Sequence, residues 1–205
     1  MKTVTTCSDT ISPEMYSKLV SFVQQIIIDN PKIQAGKNMG LDSESGLLWN
    51  IENQRRWQTG QGEIAILLND AEEVVGVSCV ESTSQPLLSI GGIRTWVLKP
   101  YRSKNVISNM LLESNLNWSI DQGKAGMMMT FNDYNRWIYD GIKRKVAGKG
   151  AGLANVWSDW WNDCIVLGRP LKIRFVNQWC VIKPTGLHDA KAIETIVGGL
   201  DVISE

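Results

Sequence analysis

Residues 88–131 carry the pattern that most restricts the fold. Leu88–Leu98 reads as a strand whose alternation changes phase at Gly91-Gly92, which predicts a bulge or bend there. Pro100 stops it. From about Asn105 to Gln122, Ile107, Met110, Leu111, Ser114 and Trp118 recur on one helical face, and Gly123 is placed to cap the C-terminus. Ala125–Phe131 follows as an apolar run containing Met127, Met128 and Met129, the composition of a strand covered on both faces. Strand, helix, strand in this order is a βαβ crossover. Its two strands are expected to be parallel and the connection right-handed.

The flanking segments extend this core. Ser12-Pro13-Glu14 is an N-cap followed by Pro at the first helical position. With Leu19, Phe22, Val23, Ile26 and Ile27 at helical spacing, it predicts a helix over about 13–29. Residues 30–44 read as a loop. A second helix is predicted over about 45–58, with Leu47, Leu48, Ile51 and Trp57 on its apolar side. Glu63–Leu68 and Glu73–Glu81, separated by Asn69-Asp70, form a hairpin signature. Asn132-Asp133 caps a helix over about 133–145, with Tyr134, Ile138 and Ile142 as its buried stripe. Residues 146–162 read as irregular. Strands are predicted over Cys164–Val176, broken near Gly168-Arg169-Pro170, and over Gln178–Ile182. A last helix is predicted over about 188–197. The order of elements is that of one α/β or α+β domain over 1–205, with a C-terminal extension from about 184.

The chain has 205 residues, with 21 Lys+Arg against 21 Asp+Glu. That balance argues against a general nucleic-acid binder and against a polybasic membrane-surface protein. No apolar run approaches the roughly 20 residues of a membrane span. The opening residues lack the apolar core of a signal peptide, so the expected location is cytoplasmic. Cys7, Cys79, Cys164 and Cys180 form no CxxC pair, and His188 is the single histidine. No metal site and no Cys–His or Ser–His nucleophile is expected from such a set.

The chemistry is concentrated in two stretches. One is Val97-Leu98-Lys99-Pro100-Tyr101-Arg102-Ser103-Lys104-Asn105-Val106-Ile107, running from a strand into a helix. The other is Asn132-Asp133-Tyr134-Asn135-Arg136-Trp137-Ile138-Tyr139, directly after the parallel strand. Together they resemble the GNAT superfamily of acyl-CoA-dependent N-acetyltransferases. The likeness covers about residues 10–182 and is specific over 88–142. It implies a mixed, mostly antiparallel sheet with a central parallel pair, 88–98 and 125–131, flanked by helices.

In that family the first stretch reads Arg/Gln-x-x-Gly-x-Gly/Ala, and its backbone N–H groups hold the pyrophosphate of coenzyme A. A helix N-terminus suits an anion because its first N–H groups have no internal partner and the dipole is positive there. Carried over, Arg102, Ser103, Lys104, Asn105, Val106 and Ile107 are the candidate phosphate cradle. Arg102 matches. Asn105 stands where the first Gly would be and Ile107 where the second small residue would be. Asn tolerates left-handed geometry; a β-branched Ile crowds an approaching phosphate unless it faces the core. The resemblance further places a thioester-oxygen donor at Val97 or Leu98, pantetheine contacts at Asn132 and Asn135, and a general acid at Tyr139. A phenol with a pKa near 10 can protonate a departing thiolate. General-base candidates are Glu81 and Glu52.

The implied activity is acetyl transfer from acetyl-CoA to a primary amine by direct attack, without a metal or covalent intermediate. Acetyl-CoA is thus the expected co-substrate, and the resemblance adds a homodimer. Two other readings fit the same residues: a GNAT-fold binding module without activity, suggested by the absent glycines at 105 and 107, or a transferase for a longer acyl-CoA. Trp157, Trp160 and Trp161 are read either as core or as the wall of an acceptor pocket. The basic loop Lys143-Arg144-Lys145 with Lys149 is read as solvated. Nothing in the chain names the acceptor amine.

Overall fold

A computed structural model describes residues 1–6, 11–29, 61–102, 107–149, 159–173, 176–200 and 202–203. The predicted helix over 45–58, with Glu52, lies outside them, as do Ser103, Lys104, Asn105, Val106 and Trp157.

Among the described residues, a nine-stranded sheet organises the fold. The first strand, β1 (Lys2–Thr6), was not foreseen: Thr-rich and short, it runs antiparallel to β2 (Gly62–Leu68), far away in sequence. β2 pairs with β3 (Val74–Ser82) as the predicted hairpin. Its turn is built by Asn69, whose side chain accepts from the N–H groups of Ala71 (3.0 Å) and Glu73 (2.9 Å). β3 pairs antiparallel with β4 (Leu88–Val97), and β4 runs parallel to β5 (Gly126–Phe131). β5 pairs antiparallel with β8 (Val176–Pro184), which also carries β6 (Ile165–Val166) and β7 (Leu171–Ile173). β9 (Val202–Ile203) closes the edge beside β7.

Helix α1 (Pro13–Asp29) starts as predicted, with Ser12 Oγ accepting from Met15 N–H at 3.1 Å. It lays Leu19, Phe22, Val23 and Ile26 against Ile64, Ile66 and Val77. On the opposite face lies the crossover helix. It opens as a π-helical stretch, Ile107–Leu112, and continues as α2 (Glu113–Asp121). The wider turn rotates the stripe expected from a regular 3.6 period. Leu111, Leu112, Asn115, Leu116, Trp118 and Ser119 are buried, whereas Met110 and Ser114 are only half-buried. Gly123, at φ 65°, makes the expected C-terminal cap.

After β5, Asn132 caps a short 3-10 turn (Asp133–Asn135) that leads into α3 (Arg136–Val146). The buried stripe of α3 includes Tyr139 with Ile142, so Tyr139 belongs to the packed face and not to one offset from it. Helix α4 (Ala190–Gly198), capped by Asp189, presses Ile193 and Val197 onto Leu171, Ile173 and Ile182. No helix among the described residues is long and apolar enough to cross a membrane.

Candidate functional site

The parallel pair is short. β4 and β5 share only three registered positions, Leu88↔Gly126, Ser89↔Met127 and Ile90↔Met128. β4 then continues to Val97 and β5 to Phe131 without pairing, so a gap opens between them. The cause is in β4. From Val77 to Glu81, β3 advances four residues while β4 goes from Trp96 to Ile90, six residues, which places two bulges in succession. Each extra residue bends the strand and increases its twist. Gly92 sits here at φ 69°, a left-handed conformation that side chains disfavour. The bulge predicted at Gly91-Gly92 is where the strands part.

The far end of β4 sets the edge of the gap. Leu98 N–H donates to Val75 O at 2.8 Å, which makes those two residues a hydrogen-bonded pair. Val97 opposite Gly76 is then the non-bonded pair of the ladder. Its N–H and C=O turn away from β3, toward the edge left open by β5. Of the two backbone donors expected from the sequence, Leu98 is engaged within the sheet and Val97 is the one on the gap side. Val97 O accepts from Arg102 Nε at 2.7 Å. A 3-10 turn, Lys99–Tyr101, folds the chain back so that this bond can form. Tyr101 steadies the turn from outside, its hydroxyl accepting from Asn69 Nδ2 at 3.0 Å. The outcome is a guanidinium fixed over the end of β4.

Ile107 begins the π-helical stretch. Ser103, Lys104, Asn105 and Val106 of the candidate cradle lie outside the described residues. On the β5 side, Asn132 Oδ1 accepts from Asn135 N–H at 3.0 Å and so shapes the turn that follows the strand. Trp179 of β8 supports the same turn: its Nε1 donates to Asp133 at 3.2 Å and its ring lies 4.2 Å under the Arg136 guanidinium. Asn132 and Asn135 thus sit in the turn that directly follows β5, the strand that parts from β4.

Tyr139 lies deeper. It is 1% exposed, and its hydroxyl donates to Leu167 O at 2.5 Å. Its ring packs 5.1 Å from that of Trp179. Leu167 in turn donates its N–H to Cys180 O of β8, on the side of β5 away from β4. Burial raises the phenol above its ordinary pKa, and the Asp140 carboxylate adds in the same direction. The structure thus gives the proton of Tyr139 a backbone partner in the core, not one in the gap.

The other candidates separate clearly. Trp161 is 4% exposed and meets Trp160 edge-on at 4.8 Å. Trp160 Nε1 donates to Glu113 at 2.5 Å, while buried Lys183 donates to Trp160 O and pairs with Asp163. These tryptophans pack α2 and β8 together. Burial pushes the thiols of Cys164 and Cys180 up to about 12, which leaves them protonated at neutral pH. Glu81 is buried on β3, opposite Ile90 where β4 leaves β5. Glu63 was not singled out from the sequence. Burial raises its carboxyl to about 7, with Asp121 contributing. It lies on β2, beyond β3 from the gap.

No family model matches the sequence, and no curated protein sequence matches it. Solved structures do. An acetyltransferase from Streptococcus agalactiae superposes with a TM-score of 0.54 at 14% identity, over 90% of this chain and 99% of its own. A GNAT-family acetyltransferase from Staphylococcus aureus gives 0.53 at 12% identity, over 89% and 99%. Spermidine N-acetyltransferase from Vibrio cholerae, solved with CoA and spermine, gives 0.51 at 7% identity, over 90% and 96%. At such identities the likeness speaks to architecture. The mixed, mostly antiparallel sheet with its parallel β4–β5 pair, covered by helices on both faces, has the GNAT fold.

Proposed function

We propose that this protein is an acyl-CoA-dependent N-acyltransferase that moves an acetyl group from acetyl-CoA to a primary amine by direct attack. The observation that carries the reading is the gap itself: β4 parts from β5 after three residues, with the Val97 amide on the open edge and the Arg102 guanidinium bonded to the Val97 carbonyl. A thioester laid in such a gap meets a backbone donor where its carbonyl oxygen gains charge. Arg102 offers a positive charge to a phosphate group at the same mouth. Ser103, Lys104, Asn105, Val106 and Ile107 complete the candidate cradle in this reading, and Asn132 and Asn135 line the approach of the pantetheine arm.

In the reaction the amine lone pair forms a C–N bond to the carbonyl carbon. The tetrahedral oxyanion collapses and the C–S bond breaks. One proton leaves the ammonium and one is taken up by the thiolate. Positioning of the two reactants supplies most of the acceleration expected of such a site. The Tyr139 hydroxyl can serve as the thiolate's proton source only by leaving Leu167 O.

The test is calorimetric titration with acetyl-CoA and with coenzyme A, followed by an amine screen read by thiol release. A micromolar dissociation constant, about −8 kcal/mol, supports the reading. Absence of binding at millimolar ligand refutes it and favours a GNAT-fold module without activity. Tight binding of acetyl-CoA without release of thiol to any amine has the same effect on the enzymatic part.

A further inference from the structure

Gly92 stands outside both neighbouring ladders: in the register, neither β3 nor β5 pairs with it. Its polar groups are met by side chains instead. Gly92 N–H donates to Asn115 Oδ1 at 3.3 Å, and Gly92 O accepts from Thr95 Oγ1 at 2.8 Å. Ser78 joins the two partners, with its Oγ 2.6 Å from Asn115 Oδ1 and 2.7 Å from Thr95 Oγ1. The four residues form a closed ring that ties α2 to β3 and to both bulges of β4. Ser78 and Asn115 are completely buried. Two hydroxyl protons serve three contacts, so the ring donates only two of them at a time.

The orientation of the Asn115 amide is decided by Gly92, because an N–H needs an oxygen opposite it. That choice leaves Asn115 Nδ2 buried with no partner among the described residues. An unmet buried donor is unfavourable, because it has given up its bond to water. A leucine at 115 would carry no such penalty between Leu111, Leu112 and Leu116. The Nδ2 group gains nothing from packing; what the amide supplies is Oδ1, the acceptor for Gly92 N–H and for the Ser78 hydroxyl.

We propose that Asn115 is a positioning residue for the acyl-transfer site. By holding Gly92 N–H it keeps the extra residues of β4 turned toward α2. The strand then leaves β5 after Ile90, and the Val97 amide reaches the open edge. This rests on the acyl-CoA reading above and adds to it a residue outside the motif stretches.

The experiment combines two readouts on the full chain. Amide hydrogen exchange of Gly92 is followed by NMR, and acetyl-CoA binding by calorimetry, in the parent protein, Asn115→Leu and Asn115→Asp. In Asn115→Leu, Gly92 exchange rises at least tenfold and acetyl-CoA binding weakens about tenfold. Asn115→Asp keeps an acceptor oxygen and restores both. Thr95→Val, which removes the donor to Gly92 O and the contact with Ser78 Oγ while keeping the shape, carries the same expectation as Asn115→Leu and serves if that variant does not fold. Unchanged Gly92 exchange in both variants overturns the proposal. So does faster exchange with undiminished acetyl-CoA binding, since the bulge would then not position the site. A parent protein that binds no acetyl-CoA refutes the acyl-CoA reading itself, and the positioning role falls with it.

Discussion

Replacing Gly91 by alanine tests the geometry of the strand separation directly. A Cβ built at Gly91 comes 2.1 Å from Met127 Sδ and 2.5 Å from Met127 Cγ. Ordinary contact begins near 3.4 Å, so the thioether must move by more than 1 Å. Met127 is completely buried, in the same cluster as Val80, Leu112 and Leu116, and has little room to yield. Overpacking of this kind costs about 1–3 kcal/mol. The loss of backbone freedom in the unfolded chain offsets about 0.4–1 kcal/mol, because the left-handed residue is Gly92 and not Gly91. A net loss of about 1–2 kcal/mol is expected. Met127→Ala alone leaves a cavity and costs about 2–5 kcal/mol. In the double variant the new methyl group enters that cavity, and the pair is less destabilised than the sum by about 1–2 kcal/mol. Urea unfolding followed by tryptophan fluorescence measures all four corners of the cycle, with nine tryptophans as probes. Additivity within about 0.5 kcal/mol would refute the claim that these two residues meet where β4 leaves β5.

Other outcomes follow from single side chains. Tyr139→Phe leaves Leu167 O without its donor and lowers stability by about 1 kcal/mol, with thiol release in the amine assay retained. A fall of about 10²-fold or more at matched stability would instead give the hydroxyl a proton-transfer role. Arg102→Met weakens acetyl-CoA binding and flattens its salt dependence, read by calorimetry at two ionic strengths; unaltered binding removes Arg102 from the phosphate site. Glu63 has its pKa raised from 4.5 to about 7, so its contribution to stability is full below 4.5 and is lost as pH rises through 7. Because the group is partly solvated, the loss is discounted to about 1–2 kcal/mol. Glu63→Gln should thus stabilise the protein by that amount at pH 8 and not at pH 4.5. Equal effects in thermal melts at both values would show that Glu63 does not titrate in this window.

Much of the frame is legible in the order of residues alone. Local signals were sufficient where the controlling interaction is local: Ser12 and Pro13 start α1, Asn69 turns the β2–β3 hairpin, Gly123 ends α2 and Asn132 caps the turn after β5. The βαβ order made β4 and β5 parallel, and Gly91-Gly92 marked the bulge. What depended on distant partners was not legible. β1 finds β2 across some sixty residues, so a Thr-rich segment of five residues carried no signal of its own. Asn115 is buried in α2 beside Leu111 and Trp118, where a polar residue type gives no sign of burial. The spacing of Tyr139 from Asn135 puts both on one helix face, yet tertiary packing gives the Tyr139 hydroxyl to Leu167. Likewise, Val97 and Leu98 look alike in the chain; only the pairing of β4 with β3 decides which amide stands on the open edge. Secondary structure follows from neighbours within a few residues, whereas the direction of a hydrogen-bonding group at a site is set by strands and helices brought together from the whole chain.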